Sequence, residues 1–110
     1  MRLHPPRSVL NAVCGGALLL LAAPALGAPH AYTVEIDKMK FGPVPSLLHK
    51  GDTIIWANHD FLRHTATASN HAFDVDLPAG SRRTMTLTKS GTFPFFCRYH
   101  PGMRATLVIR

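Results

Sequence analysis

The run Cys97-Arg98-Tyr99-His100-Pro101-Gly102-Met103 places a thiol, an imidazole and a thioether at Cys-x2-His-x2-Met spacing. These are soft donors, the class that holds a redox-active copper, whereas calcium and magnesium take oxygen. A trigonal thiolate site for copper needs a second imidazole, with the thioether as a weaker axial donor. Zinc suits the set less well, because it takes four strong donors and gains little from a thioether. Taken alone, Met103 would read as a core gap-filler and His100 as a turn residue. The combination is what points to a metal.

The second imidazole has to come from upstream, where residues 28–96 offer His30, His49, His59, His64 and His71. Binding through an amino terminus at Ala28 together with His30 would need an ionisable amide at the second position, and Pro29 has none. His49 precedes the turn Lys50-Gly51-Asp52 and reads as a solvated loop residue. His59, His64 and His71 remain, all in the long segment after Trp56.

Strands must position these groups, because no long segment shows a helical period. Tyr32, Val34 and Ile36 alternate with Thr33, Glu35 and Asp37, the period of a half-buried strand. Ile54 and Trp56 come after the Lys50-Gly51-Asp52 turn, and Met85 and Leu87 alternate with Thr84, Thr86 and Thr88. Phe93, Phe95 and Cys97 share one face, so the thiol points inward on the aromatic side of its strand. Met103 then opens the inward row Ala105, Leu107 and Ile109. Between Asn58 and Ser81 the pattern is weakest, with short strands expected around Thr65 to Ala68 and Phe73 to Val75. Pro94 is expected at an edge or bulge, where its missing donor is tolerated. Short strands with dense Gly and Pro punctuation argue for an antiparallel sandwich or barrel.

The first 27 residues read as a signal peptide: a basic start with Arg2 and Arg7, an apolar run from Val9 to Ala23, and a small-residue cut after Gly27. Asn11, Gly15 and Gly16 break that run, so it lacks the clean span of about 20 residues that a membrane anchor needs. Cys14 sits before the apolar run has finished, a poor place for lipid attachment, and is expected to leave with the signal. Residues 28–110 are enough for one small domain with a thin core that a metal would help to stabilise. In the oxidising compartment outside the cytoplasm Cys97 then has no intramolecular partner. A free thiol there calls for an occupant. Residues 28–110 carry ten Lys and Arg against six Asp and Glu, a formal charge of +4. For an exported chain that favours an acidic protein partner over nucleic acid, and no stable membrane insertion after cleavage is expected.

The order Trp56-Ala57-Asn58, loop, His64-Thr65, and later Gly91-Thr92-Phe93-Pro94-Phe95-Phe96-Cys97 with its donor loop, resembles the cupredoxin or blue copper family. The Cys-x2-His-x2-Met spacing resembles its amicyanin-like members, which have the shortest ligand loop among the familiar ones. The resemblance runs from Tyr32 to Arg110. It implies an all-β, Greek-key antiparallel β-sandwich that binds one type 1 copper ion. By position, the first ligand in that family lies a few residues past the Trp-x-Asn strand, which here is His64. The implied set is His64, Cys97 and His100 in the trigonal plane with Met103 axial, while His59 and His71 stay as minor contenders. Two positions depart from the amicyanin-like pattern: Thr65 stands where an Asn is common, and Arg98 where a small hydroxyl residue is common.

With this set the expected activity is one-electron shuttling by a periplasmic or otherwise secreted monomer, between redox partner proteins. Blue copper relatives that are enzymes place a histidine beside the copper cysteine to connect with a second centre, whereas Cys97 is flanked by Phe96 and Arg98. Asp60, Asp74 and Asp76 read as loop or surface carboxylates, with no pair set for acid–base work. The alternative is a copper-binding, resistance or delivery protein that uses the same ligands. Arg63, Arg98 and Arg104 each adjoin a candidate ligand and are expected to form a basic rim, around an apolar patch of Pro101, Gly102, Phe61 and Leu62, facing an acidic docking surface.

Overall fold

The computed structural model describes residues 2–4, 15–16 and 27–110. The expected signal segment and Cys14 therefore lie almost wholly outside the described residues. Among the described residues no helix is long and apolar enough to cross a membrane.

Among the described residues eight strands run in order: β1 Ala31–Asp37, β2 Lys40–Phe41, β3 Thr53–Asn58, β4 His64–Ala68, β5 Asp74–Leu77, β6 Arg82–Thr86, β7 Gly91–Phe96 and β8 Arg104–Ile109. They form two four-stranded sheets, β2-β1-β3-β6 and β5-β4-β7-β8, packed as an all-β sandwich. Neighbours are antiparallel except β1 and β3, which run parallel from Ala31↔Thr53 to Ile36↔Asn58.

Period-2 alternation decides what meets in the middle. Val34 and Ile36 of β1 and Ile54 and Trp56 of β3 face Phe93 and Phe95 of β7 and Leu107 and Ile109 of β8, all buried. Phe95 is the hub, edge-on to Phe41 at 4.8 Å and to Trp56 at 5.2 Å between ring centroids. Such edge-to-face pairs add about 0.5–1.5 kcal/mol each beyond the area they bury. The parity expected for Cys97 and Met103 is observed, since both are buried while Arg98 and Arg104 point out.

Pro94 departs from expectation, because β7 is an interior strand. The β4 ladder ends at Ala68↔Phe95, and beyond it the Ser69 N–H still donates to the Pro94 carbonyl at 2.9 Å. Pro94 thus accepts from Ser69 but has no N–H to give in return, so the absent donor costs only one bond, just past the end of the β4 ladder.

Candidate metal centre

One end of the sandwich collects the close of β3, the start of β4 and the loop from β7 to β8. That loop is tightly wound. The His100 N–H donates to the Cys97 carbonyl at 3.3 Å, the Met103 N–H to the His100 carbonyl at 2.8 Å, and the Cys97 N–H to the Met103 carbonyl at 3.1 Å. Two successive turns closed by a return bond fold the loop so that Cys97, His100 and Met103 lie together on one short stretch of backbone.

The first histidine comes from β4. His64 opens that strand and is fully buried, with its ring 5.0 Å from the His100 ring, edge to face. Cys97 Sγ lies 3.7 Å from His64 Nδ1 and 3.7 Å from His100 Nδ1. The three donor atoms all fall within 4.8 Å of one another. Two donors held at first-row metal distances, about 2.0 Å for nitrogen and 2.3 Å for sulfur, are roughly 3.5–3.7 Å apart when they subtend a trigonal or tetrahedral angle. The spacing therefore fits a shared metal ion. Met103 is buried beside them, closing the loop.

The other two histidine contenders lie elsewhere. His59 pairs with Glu35 on the exposed side of β1, and His71 sits in the turn between β4 and β5 with φ of 65°. His30 and His49 lie at the opposite end, where their backbone N–H groups donate to Asp52 at 3.0 and 2.9 Å.

Asp60 belongs to the site although the sequence pattern reads it as a loop carboxylate. Its Oδ2 lies 2.7 Å from His64 Nε2. Burial pushes this carboxyl upward, but the Met39 N–H, the His64 ring and the Lys38 N–H outweigh it and hold the group below the usual carboxylate value. As a carboxylate it only accepts, so Nε2 presents a proton to Asp60 and Nδ1 is the nitrogen that faces Cys97. Asp60 is itself held by Asn58, whose Oδ1 accepts the Asp60 N–H at 2.9 Å. The amide of Asn58 donates to the carbonyls of Leu62 at 2.9 Å, Leu77 at 3.0 Å and Pro78 at 3.2 Å. The Trp-x-Asn strand end thus braces the loop that delivers His64. The available signal in the sequence is an acid four residues before a candidate ligand.

The expected basic rim is partly neutralised. Arg63 pairs with Asp76 at 3.0 Å and Arg98 with Asp74 at 3.2 Å, so two of the three arginines share their charge with carboxylates of β5. Arg104 Nε instead donates to the Pro101 carbonyl at 2.8 Å. Phe61 is wholly exposed and Leu62 half-exposed in the loop before His64.

The chain matches the cupredoxin-like domain over residues 11–109. It belongs to the cupredoxin family. Among curated relatives it is similar to amicyanin from Paracoccus versutus, 26% identical over 85 residues that cover 72% of this chain and 64% of that protein. Amicyanin from Paracoccus denitrificans is 28% identical over 88 residues, covering 74% of this chain and 67% of the relative. The matched part thus spans about two thirds of the relatives' own length. Among solved structures, a reduced Cu(I) amicyanin variant superposes with a TM-score of 0.58 at 30% identity, covering 73% of this chain and 82% of that one. A copper-containing nitrite reductase from Thermus scotoductus superposes with a TM-score of 0.60 at 26% identity, covering 71% of this chain and 22% of the enzyme. In this cupredoxin the cluster around Cys97 is a type 1 copper site, as in amicyanin, and the cofactor is copper.

Proposed function

We propose that this cupredoxin is an exported electron carrier whose single copper would be held by His64, Cys97 and His100, with Met103 as the weaker fourth donor. Copper in such a set gains and gives up one electron without bonds being made or broken in a substrate. The rest is the work of the chain. β4 and the wound loop hold three donors at metal spacing within a buried cluster, so little has to move when the charge changes. Asp60 fixes the His64 tautomer, the buried face of β7 keeps water from the sulfur, and the partly exposed His100 is the natural edge for contact with a partner.

The observation that carries this reading is the pair of 3.7 Å separations from Cys97 Sγ to the two Nδ1 atoms. A carrier is favoured over an enzyme because Phe96 and Arg98 flank Cys97, leaving no adjacent histidine to lead to a second centre. The partner is a redox protein, acidic where it meets Arg104. The deciding experiment is the optical spectrum of copper(II)-loaded protein. An intense thiolate-to-copper band at roughly 600 nm is expected, lost in Cys97→Ser and His64→Ala and kept in His59→Ala and His71→Ala. A band that survives Cys97→Ser would overturn the ligand set.

A further inference from the structure

We infer that Thr65, Thr67 and Asp74 form a charge-terminated hydrogen-bond chain that positions the Cys97–Arg98 peptide, and with it the sulfur, against β4. The Arg98 N–H donates to Thr65 Oγ1 at 2.9 Å. Thr65 Oγ1 and Thr67 Oγ1 are 2.9 Å apart, and Thr67 Oγ1 donates to Asp74 Oδ1 at 2.7 Å. Arg98 closes the circuit, its Nε donating to the same carboxylate oxygen at 3.2 Å.

The carboxylate sets the direction of every proton in the chain. Asp74 only accepts, so the single hydroxyl proton of Thr67 is committed to it. Thr67 can then offer Thr65 only lone pairs, and the Thr65 proton turns toward Thr67. That leaves the lone pairs of Thr65 Oγ1 facing the Arg98 N–H. Each bond polarises the next, and with both threonines buried, water does not compete. The exposed Arg98–Asp74 ion pair adds little by itself, but it holds the carboxylate over Thr67.

Thr65 grips the cysteine twice. Its N–H donates to Cys97 Sγ at 3.4 Å, while its hydroxyl accepts from the next peptide along. Hydrogen bonding to the cysteine sulfur is one of the controls on the potential of such a site, because a donor to sulfur draws density away from the metal. Thr65 and Arg98, the two departures from the amicyanin-like pattern, are thus the two ends of one bond. Asp74, Thr67 and Thr65 are positioning residues in this scheme, and none of them is offered as a ligand.

The test has one arm without metal and one with it. In the metal-free protein, amide hydrogen exchange measured by NMR reads the Arg98 N–H directly. Thr65→Val and Thr67→Val remove a hydroxyl with little change of shape and no change of charge. Thr65→Val is expected to speed exchange at Arg98 about tenfold, the weight of one hydrogen bond. Thr67→Val and Asp74→Ala should speed it several-fold, and Asp74→Asn, which keeps an acceptor oxygen but loses the charge, should fall between these and wild type. In the copper-loaded protein, the potential of Thr65→Val and Thr67→Val should fall and the thiolate band should shift, as the N–H to sulfur bond loosens. This second arm rests on the copper reading, and a colourless loaded wild type would defeat that reading while the exchange arm still judges the chain. Wild-type exchange at Arg98 with an unchanged potential in both valine variants, whatever their melting temperatures, would overturn the proposal.

Discussion

Asp60 Oδ2 lies 2.7 Å from Nε2 of the buried His64, and this contact decides which nitrogen of the ring faces Cys97. The carboxylate is anchored from the far side by the Lys38 and Met39 N–H groups at 2.8 and 3.0 Å. Both of those residues have positive φ, 50° and 63°, in the turn between β1 and β2. A tight hairpin on one sheet is thereby tied to a candidate ligand on the other, which orients the ring before any metal arrives.

Removing that support should weaken metal binding without abolishing it. Asp60→Ala is expected to lower copper affinity about 10- to 100-fold, the usual cost of losing the partner that orients a ligating histidine. Asp60→Asn, which can still present an oxygen to Nε2, should fall between. Competition against a chelator of known affinity measures both, and an Asp60→Ala protein that holds copper as tightly as wild type would remove Asp60 from the site.

Asn58 stabilises the same end by a different route. Its buried amide serves three carbonyls and the Asp60 N–H, so truncation strands several polar groups away from water. Asn58→Ala is expected to cost about 2–4 kcal/mol of folding stability, in the upper range for single substitutions. The denaturation midpoint of the metal-free protein should drop with the slope unchanged.

The parts of this fold that can be read from sequence are those with one wet face. Phe93, Phe95 and Cys97, and Met103 through Ile109, alternate cleanly because their other faces meet solvent, and parity alone places the thiol and thioether inside. For β4 the sequence gives a location but no facing, since all five of its residues are buried and no period survives. Asp74 and Asp76 look like loose surface carboxylates in the sequence, yet their contacts with Arg98 and Arg63 are long-range pairings that only the closed sheet brings together. Asp60 is hidden for a similar reason. An acid in a polar loop looks solvated until the β1–β2 turn folds over it.

At the opposite end, Asp52 makes stability depend on acid. The His30 and His49 N–H groups donate to its carboxylate, holding the carboxyl below its ordinary value, against the opposing effect of burial. A carboxyl lowered by folding contributes stability that is fully present above its unfolded value, about 3.9, and is lost as pH falls through the lowered folded value. Asp52→Asn should therefore be less stable than wild type at neutral pH, with the difference shrinking in strong acid. Urea titrations at pH values from about 7 down to about 2 test this, and a constant difference would show that the Asp52 charge does not matter.

Partner docking should depend on Arg104 more than on its two neighbours. Arg63 and Arg98 share their charge with Asp76 and Asp74, whereas Arg104 has no carboxylate partner among the described residues and reaches the carbonyl of Pro101, next to His100. Its charge is therefore the least cancelled of the three near the edge proposed for electron exchange. Steering by such a charge acts over a Debye length, about 30 Å at 0.01 M salt but only about 3 Å at 1 M. Arg104→Glu should slow electron transfer with an acidic redox protein markedly at low ionic strength and hardly at all at high. Arg63→Glu should also slow it, but with a loss of stability as Asp76 gains a like charge beside it. Stopped-flow rates across a salt series separate these cases, and identical curves for wild type and Arg104→Glu would show that the partner does not approach by this side of the loop.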